Sequence, residues 1–394
     1  MDILIIADFY GNIEAKNDNS RFAYLANMLI KDGHNVEVIT SDFNHGKKAY
    51  FTMKPSDTAN LKITMLHEPS YKKNICLKRF YSHYVFGMNV SKYLKYRKKP
   101  DVIYCAVPPL TAAYKAARYC EKNKIRFIID VQDLWPEAFR MVFNVSILSS
   151  LIFFPFKLLA NSIYKRADSI CAVSETYCKR ALSVNKKCNE GTVVYLGTDL
   201  EKFDEYAKEE PILKKGENEI WLAYCGTLGA SYDLKCVFDA LRILDDDRIK
   251  FIVMGDGPDK EELVEYSKGL NVVFTGMLDY KQMCSQLCEC DIAVNPINSR
   301  SVATIINKHA DYAAAGLPVI NTQESDEYRK LIDRYRIGLN CKNHDSYDFI
   351  EKIKALLNDE NLYLELCTNA RCYAKEKFNR KITHQKIMRL INAK

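Results

Sequence analysis

The segment 301–320, SVATIINKHADYAAAGLPVI, places a basic and an acidic residue, Lys308 and Asp311, three positions apart, so that on a helix they share one face. Ala313, Ala314 and Ala315 let such a helix lie close to a sheet. Gly316 ends it, and Pro318 stops it resuming before the apolar run that begins at Val319. The turn from Thr304 to Asn307 offers free backbone N–H groups and the positive end of a helix dipole, the chemistry that holds a phosphate. A surface helix with an incidental salt bridge has the same pattern.

Glycine-bearing turns follow successive apolar runs further upstream: Gly226-Thr227-Leu228-Gly229, then Gly255-Asp256-Gly257, then Gly276. In open α/β sheets ligands gather at the carboxyl ends of strands, where glycine lets backbone approach them closely. The dinucleotide fingerprint G-x-G-x-x-G is absent, since neither residues 9–14 (FYGNIE) nor 255–258 (GDGP) complete it. That argues against a nicotinamide dehydrogenase. Asn295-Pro296, at the end of another apolar run, either shapes a ligand pocket or turns the chain.

The elements that must position these residues are short apolar runs separated by helical stretches. In the first half the runs are 3–7, 36–40, 63–66, 102–106, 127–131, 170–173 and 193–196; in the second, 220–225, 249–254, 272–275, 292–295 and 319–321. Runs without polar alternation suit strands covered on both faces, as in a parallel sheet. Between the first two runs, Phe22, Leu25, Ala26 and Leu29 share one helix side and Gly33 is the stop. The fold class is therefore α/β, with two doubly wound, Rossmann-like domains facing a cleft. The expected boundaries are 1–200 and 201–375, with 196–200 and the charged stretch 201–215 as the hinge. The amphipathic tail 376–394 is expected to pack back on the first domain.

The totals agree with two domains: 394 residues exceed one ordinary core. The net charge of +7 is unevenly spread. Residues 1–200 hold 29 Lys+Arg against 18 Asp+Glu, a balance of +11, and 201–394 hold 28 against 32, a balance of −4. Basic residues between Lys72 and Lys99 alternate with Tyr71, Phe80, Tyr81, Tyr84, Tyr93 and Tyr96, which suits nucleic acid, an anionic membrane surface or a solvated face. Residues 141–156 carry no charge, but with an internal proline they are too short for a span of roughly 20 residues. They fit an interfacial helix, the lining of an acceptor groove, or a core helix. A basic surface and an apolar helix in one half favour a membrane over nucleic acid. Met1-Asp2-Ile3 lacks the basic start of a signal peptide, so the expected location is cytoplasmic, peripheral on the inner face of the cell membrane. The 14 cysteines show no paired C-x-x-C zinc spacing and read as buried, reduced thiols.

Taken together, Gly33-His-Asn-Val-Glu-Val-Ile-Thr40, Leu196-Gly-Thr-Asp199, Gly226-Thr-Leu-Gly229, Gly255-Asp-Gly-Pro258 and the segment from Lys308 to Val319 resemble glycosyltransferase family 4, the GT-B retaining sugar transferases. Val131-Gln-Asp-Leu-Trp-Pro-Glu137 resembles the subset that builds bacterial capsule, O-antigen or exopolysaccharide repeats on a lipid carrier. The resemblance implies a nucleotide-sugar donor, with UDP the expected base, a lipid-linked saccharide acceptor, no obligatory metal or cofactor, and no nucleic-acid partner. By position, Asp311 matches the carboxylate that holds the donor ribose. Ala303 stands where the first glutamate of the family's pair belongs, and Thr227 and Tyr232 replace the usual diphosphate-neutralising Arg and Lys. The charge on the leaving diphosphate then falls to Lys308 and Arg300, aided by Thr304, Asn307 and the amides of residues 226–229. In the first half Asp133, with Glu137 a turn away, stands where the family places its catalytic or acceptor-binding group, and Gly11 is expected to border the diphosphate. Two other readings share this fold: a weakly catalytic, membrane-associated partner subunit, and a sugar-nucleotide epimerase.

Overall fold

The computed structural model describes residues 1–11, 20–52, 58–73, 76–138, 148–299 and 304–393. It contains two compact units, Met1–Tyr195 with His384–Lys394 and Leu196–Thr383.

In the first unit, apart from a short antiparallel pair, Phe43–Asn44 with Ala49–Tyr50, the strands of the main sheet are β1 Asp2–Ile6, β2 Asn35–Ser41, β3 Leu61–Leu66, β4 Val102–Val107, β5 Arg126–Val131, β6 Ser169–Ala172 and β7 Thr192–Val193. All are parallel, in the order β3-β2-β1-β4-β5-β6-β7. Ile3, Leu4, Ile5 and Ile6 are all buried, as strands with helices on both faces require. The helix Arg21–Lys31 is capped by the Ser20 hydroxyl, which accepts from the Ala23 N–H, and it buries Phe22, Leu25, Ala26 and Leu29. Its first residue was not expected inside. The Arg21 guanidinium reaches Asp130 on β5 through bonds of 2.8 and 3.2 Å and also donates to the carbonyls of Val194 and Tyr195. Tyr104 donates to the same carboxylate at 2.8 Å, so both charges of this buried pair are satisfied.

The second unit repeats the winding with β8 Ile220–Cys225, β9 Ile249–Met254, β10 Val272–Gly276, β11 Ile292–Asn295, β12 Val319–Asn321 and β13 Gly338–Asn340, in the order β10-β9-β8-β11-β12-β13. All are parallel. Leu222, Tyr224, Phe238, Phe251, Val253 and Ile320 form its core. The chain winds outward from β8 to β10 and returns to the other side of β8 as β11. Loops after β8 and β11 therefore diverge at this switch point, the place where such folds bind ligands.

The expected boundaries shift. The second unit begins at Leu196 and runs to Thr383 rather than 375. Thr198 N–H donates to Phe378 C=O at 2.8 Å and Arg380 N–H to Thr198 C=O at 3.0 Å, which fastens 378–380 to the unit's first residues. The charged stretch expected as a hinge opens with a helix, Leu200–Tyr206, whose N-cap Asp199 accepts from Lys202 N–H. All 14 cysteines are free, nine of them buried, but Cys288 and Cys372 are exposed. Among the described residues no helix is long and apolar enough to cross a membrane.

Candidate donor site and its acceptor-side counterpart

The helix carrying Lys308 spans Asn307–Ala314, so Thr304 lies in the loop before it rather than in its first turn. Its C-terminus closes as the sequence requires: Gly316, at φ +71°, donates to Ala313 C=O, and Leu317 N–H returns to Tyr312 C=O. Tyr312 ties the helix to both central strands, accepting from Cys225 N–H at 2.9 Å and donating to Val294 C=O at 3.2 Å.

Lys308 and Asp311 leave this helix in different directions and form no ion pair. The Lys308 ammonium lies 3.9 Å from the centre of the Tyr224 ring and 4.0 Å from that of Tyr232. It is only 8% exposed and, among the described residues, has no hydrogen-bond partner. Burial pulls its pKa down to about 7. Attraction to two ring faces, each about 0.5–2 kcal/mol, offsets part of the desolvation. Tyr232 thus forms one wall of the box around this cation.

Gly226 makes this arrangement possible. Its φ of +142° disfavours a side chain, and a Cβ there would lie 2.6 Å from Lys308 Nζ. The glycines at 255 and 257 serve a different end, because Cβ atoms there would strike the backbone of Gly226 and of Leu228. The two loops therefore meet backbone to backbone. Gly226 N–H donates to Met254 C=O and Leu228 N–H to Asp256 C=O, both at 2.9 Å, and the Leu228 side chain is buried. These two amides, expected to face a phosphate, are committed internally. Among the described residues the N–H groups of Thr227, Gly229, Asn307 and Lys308 have no partner and remain available.

Asp311 accepts from the Tyr280 hydroxyl at 3.0 Å, and Tyr280 in turn bonds to Thr198 Oγ1. Burial raises its pKa to about 6, opposed by the bond from Tyr280, by the Arg380 charge and by Thr198. Neither Tyr280 nor Thr198 was singled out as a functional residue from sequence, although Thr198 lies within the Leu196-Gly-Thr-Asp199 motif. Asn295 belongs to a buried row of carboxamides: its Nδ2 donates to Asn321 Oδ1 at 2.7 Å and to Gln323 Oε1 at 3.1 Å, and Asn321 Nδ2 donates to Asn340 Oδ1 at 3.0 Å. Gln323 Nε2 then holds Thr304 C=O at 2.7 Å. Arg300 and Ala303 lie outside the described residues.

In the first unit, Asp133 follows β5 and its carboxylate is held locally, accepting from Leu134 N–H at 2.8 Å and from Trp135 Nε1 at 3.2 Å. Burial raises its pKa. Glu137 is tied to Arg180 at 2.6 Å, and Arg180 also donates to Asn161, which makes Glu137 a fixed ion-pair member rather than a free acid. Gly11 is half-buried at φ +144° after β1. Residue 12 lies outside the described residues.

Comparison with known proteins fits both halves of the chain. The model of glycosyl transferases group 1 matches residues 219–359, and that of glycosyltransferase family 4 matches 19–202. The chain belongs to the glycosyl transferases group 1 and family 4 families and has the GT-B fold. An uncharacterized glycosyltransferase of Methanocaldococcus jannaschii, MJ1069, is 25% identical over 238 residues, 59% of this chain and 60% of that protein. The chain thus spans less than two thirds of the length of the curated relatives it matches. Among solved structures, HepE of Anabaena in complex with UDP and glucose superposes with a TM-score of 0.68 at 14% identity over all of both chains. Sucrose-phosphate synthase of Thermosynechococcus elongatus reaches 0.74 at 16% identity, covering 99% of this chain and 98% of that one.

Proposed function

We propose that this transferase moves a sugar from a UDP-sugar to a lipid-linked saccharide in bacterial surface-polysaccharide synthesis, with retention at the anomeric carbon. The observation that carries the reading is the buried Lys308 ammonium, boxed by Tyr224 and Tyr232 beside Gly226 and, among the described residues, without an anion of its own. As the sugar–phosphate bond breaks, negative charge grows on the bridging oxygen, and a preorganised cation beside unpaired amides favours that state over the ground state. Asp311, braced by Tyr280, holds the ribose hydroxyls; as Asp rather than Glu it is one methylene shorter, so a water bridges or the ribose sits closer. Asp133 on the acceptor side receives the acceptor hydroxyl's proton or steadies the oxocarbenium-like sugar.

A cytoplasmic location at the inner membrane surface is part of this proposal. Ile152, Phe154 and Leu158 are exposed on the helix Leu148–Arg166, and Leu77, Tyr81, Tyr84 and Tyr96 on the helix Leu77–Tyr96, among the basic residues of the first unit. Apolar side chains framed by Lys and Arg suit an anionic bilayer surface.

The deciding experiment is a thermal-shift series with UDP-, GDP- and TDP-sugars, followed by a transfer assay with a lipid-linked acceptor; a bound donor raises the melting temperature by mass action. UDP-sugar should stabilise wild type and leave Asp311→Asn unmoved, and Asp133→Asn should lose turnover with donor binding intact. Donor binding without transfer to any acceptor would favour a partner subunit. Conversion of the donor without acceptor would favour an epimerase.

A further inference from the structure

Apart from the donor-site residues, the first unit contains a group of buried polar side chains that nothing in the transfer reaction employs. Asp8 lies just beyond β1, Glu68 just beyond β3, and His83 on the helix Leu77–Tyr96. They are 3%, 0% and 3% exposed. His83 Nε2 is 3.7 Å from Asp8 Oδ2, and one oxygen or nitrogen from each of the three residues falls within 4.8 Å of the others. Among the described residues, both oxygens of Asp8, Oε2 of Glu68 and both ring nitrogens of His83 have no hydrogen-bond partner.

Two carboxylates and an imidazole left unpaired in a dry enclosure are costly, and buried polar groups are ordinarily satisfied. A proton shared by Asp8 and Glu68 relieves one carboxylate and leaves both His83 nitrogens idle. A cation relieves all three residues together. We propose that Asp8, Glu68 and His83 bind one divalent transition-metal ion, with zinc the ion best matched to a mixed imidazole and carboxylate set.

The surroundings support a ligand role. Glu68 is oriented by Ser82, whose hydroxyl donates to Oε1 at 2.5 Å, and its backbone N–H donates to Asp42 Oδ1 at 2.8 Å, the outer support that metal-binding carboxylates need. The His83 ring lies against Trp135 at 5.0 Å between centroids and 18° between planes, which fixes its direction. Bond lengths of about 2.0–2.2 Å in a tetrahedral site put ligand atoms about 3.4 Å apart, so side-chain rotations of about 1 Å close the set. Arg79, over the Trp135 ring at 4.9 Å, acts on both Asp8 and His83 through its charge, and one such cation leaves two ionised carboxylates net negative. The ion ties two strand ends to the helix that bears the basic, aromatic face, and the proposal stands independently of the donor assignment.

The test uses the full, tag-free chain, stripped with a chelator and titrated with Zn²⁺ and with Mn²⁺, followed by elemental analysis after desalting. Wild type should retain one equivalent of Zn²⁺ and gain several degrees in melting temperature; Asp8→Asn and His83→Gln should bind at least tenfold more weakly and gain nothing. Co²⁺ substitution guards against variants that fold poorly: wild type should show visible d–d bands without the near-ultraviolet charge transfer of thiolate ligation. Less than 0.1 equivalent in wild type, undiminished binding by both variants, or a thiolate band would each overturn the site.

Discussion

Arg21 and Lys308 are both buried cations, each on a helix packed against a six- or seven-stranded parallel sheet of similar winding, yet their surroundings differ completely. Arg21 has a carboxylate and two carbonyls; burial pulls its pKa down, but the Asp130 charge more than offsets this and holds it above the usual guanidinium value. Lys308 has two aromatic faces and, among the described residues, no acceptor. A cation that serves the fold is neutralised by the fold. One that is desolvated and left unneutralised is held ready for an anion that arrives from outside, and its cost to stability is the sign of that readiness.

The sharpest way to break this contrast is to remove each charge in turn. Arg21→Met should lower the unfolding free energy by about 3–5 kcal/mol in urea titrations, because Asp130 is left buried and alone. An unchanged midpoint would remove the structural role. Lys308→Met should leave stability unchanged or raise it, while UDP-sugar affinity falls by about 2–4 kcal/mol in calorimetry. If that variant unfolds and binds normally when refolded, the two cations are of one kind.

The pH dependence sharpens the comparison further. Burial pulls the Lys308 pKa down to about 7, so between pH 7 and the ordinary lysine value the unfolded chain binds more protons than the folded one. Stability therefore gains with rising pH across that window, and the gain should vanish in Lys308→Met. Donor binding should move oppositely, weakening by up to about tenfold per pH unit above 7 as the proton must be supplied, about 1.4 kcal/mol per unit. Proton uptake on binding, read from calorimetry in buffers of different ionisation enthalpy, is the check. A flat profile would detach Lys308 from the donor. The smallest effect is expected at Gly226→Ala, about 1 kcal/mol of stability from the positive φ and a matching loss of donor affinity as the methyl displaces the ammonium.

The fold was largely legible because parallel strands write themselves as unbroken apolar runs. Residues 220–225 and 249–254 coincide with β8 and β9. The three-residue β13 was not, since Gly338-Leu339-Asn340 carries neither length nor an apolar run. In the site, Lys308 and Asp311 were visible from spacing, but the same spacing suggested that they face each other. Their true partners, Tyr224, Tyr232 and Tyr280, arrive from another strand, a loop and another helix, and no local periodicity encodes them. The pairing of Arg21 with Asp130, and the assembly of Asp8, Glu68 and His83, are invisible for the same reason. Leu228 misled differently: a glycine-flanked amide reads as open until the neighbouring loop is seen to use it.

The carboxamides of Asn295, Asn321 and Asn340 run side by side across the ends of three adjacent strands, and Gln323 extends them to the segment before the Lys308 helix. None of these groups gains or loses a proton in the range where a cell operates. A lysine poised to titrate thus shares its unit with a row that does not, so under the proposed donor reading acidity would tune the attraction for a diphosphate while the carboxamide row stays as it is.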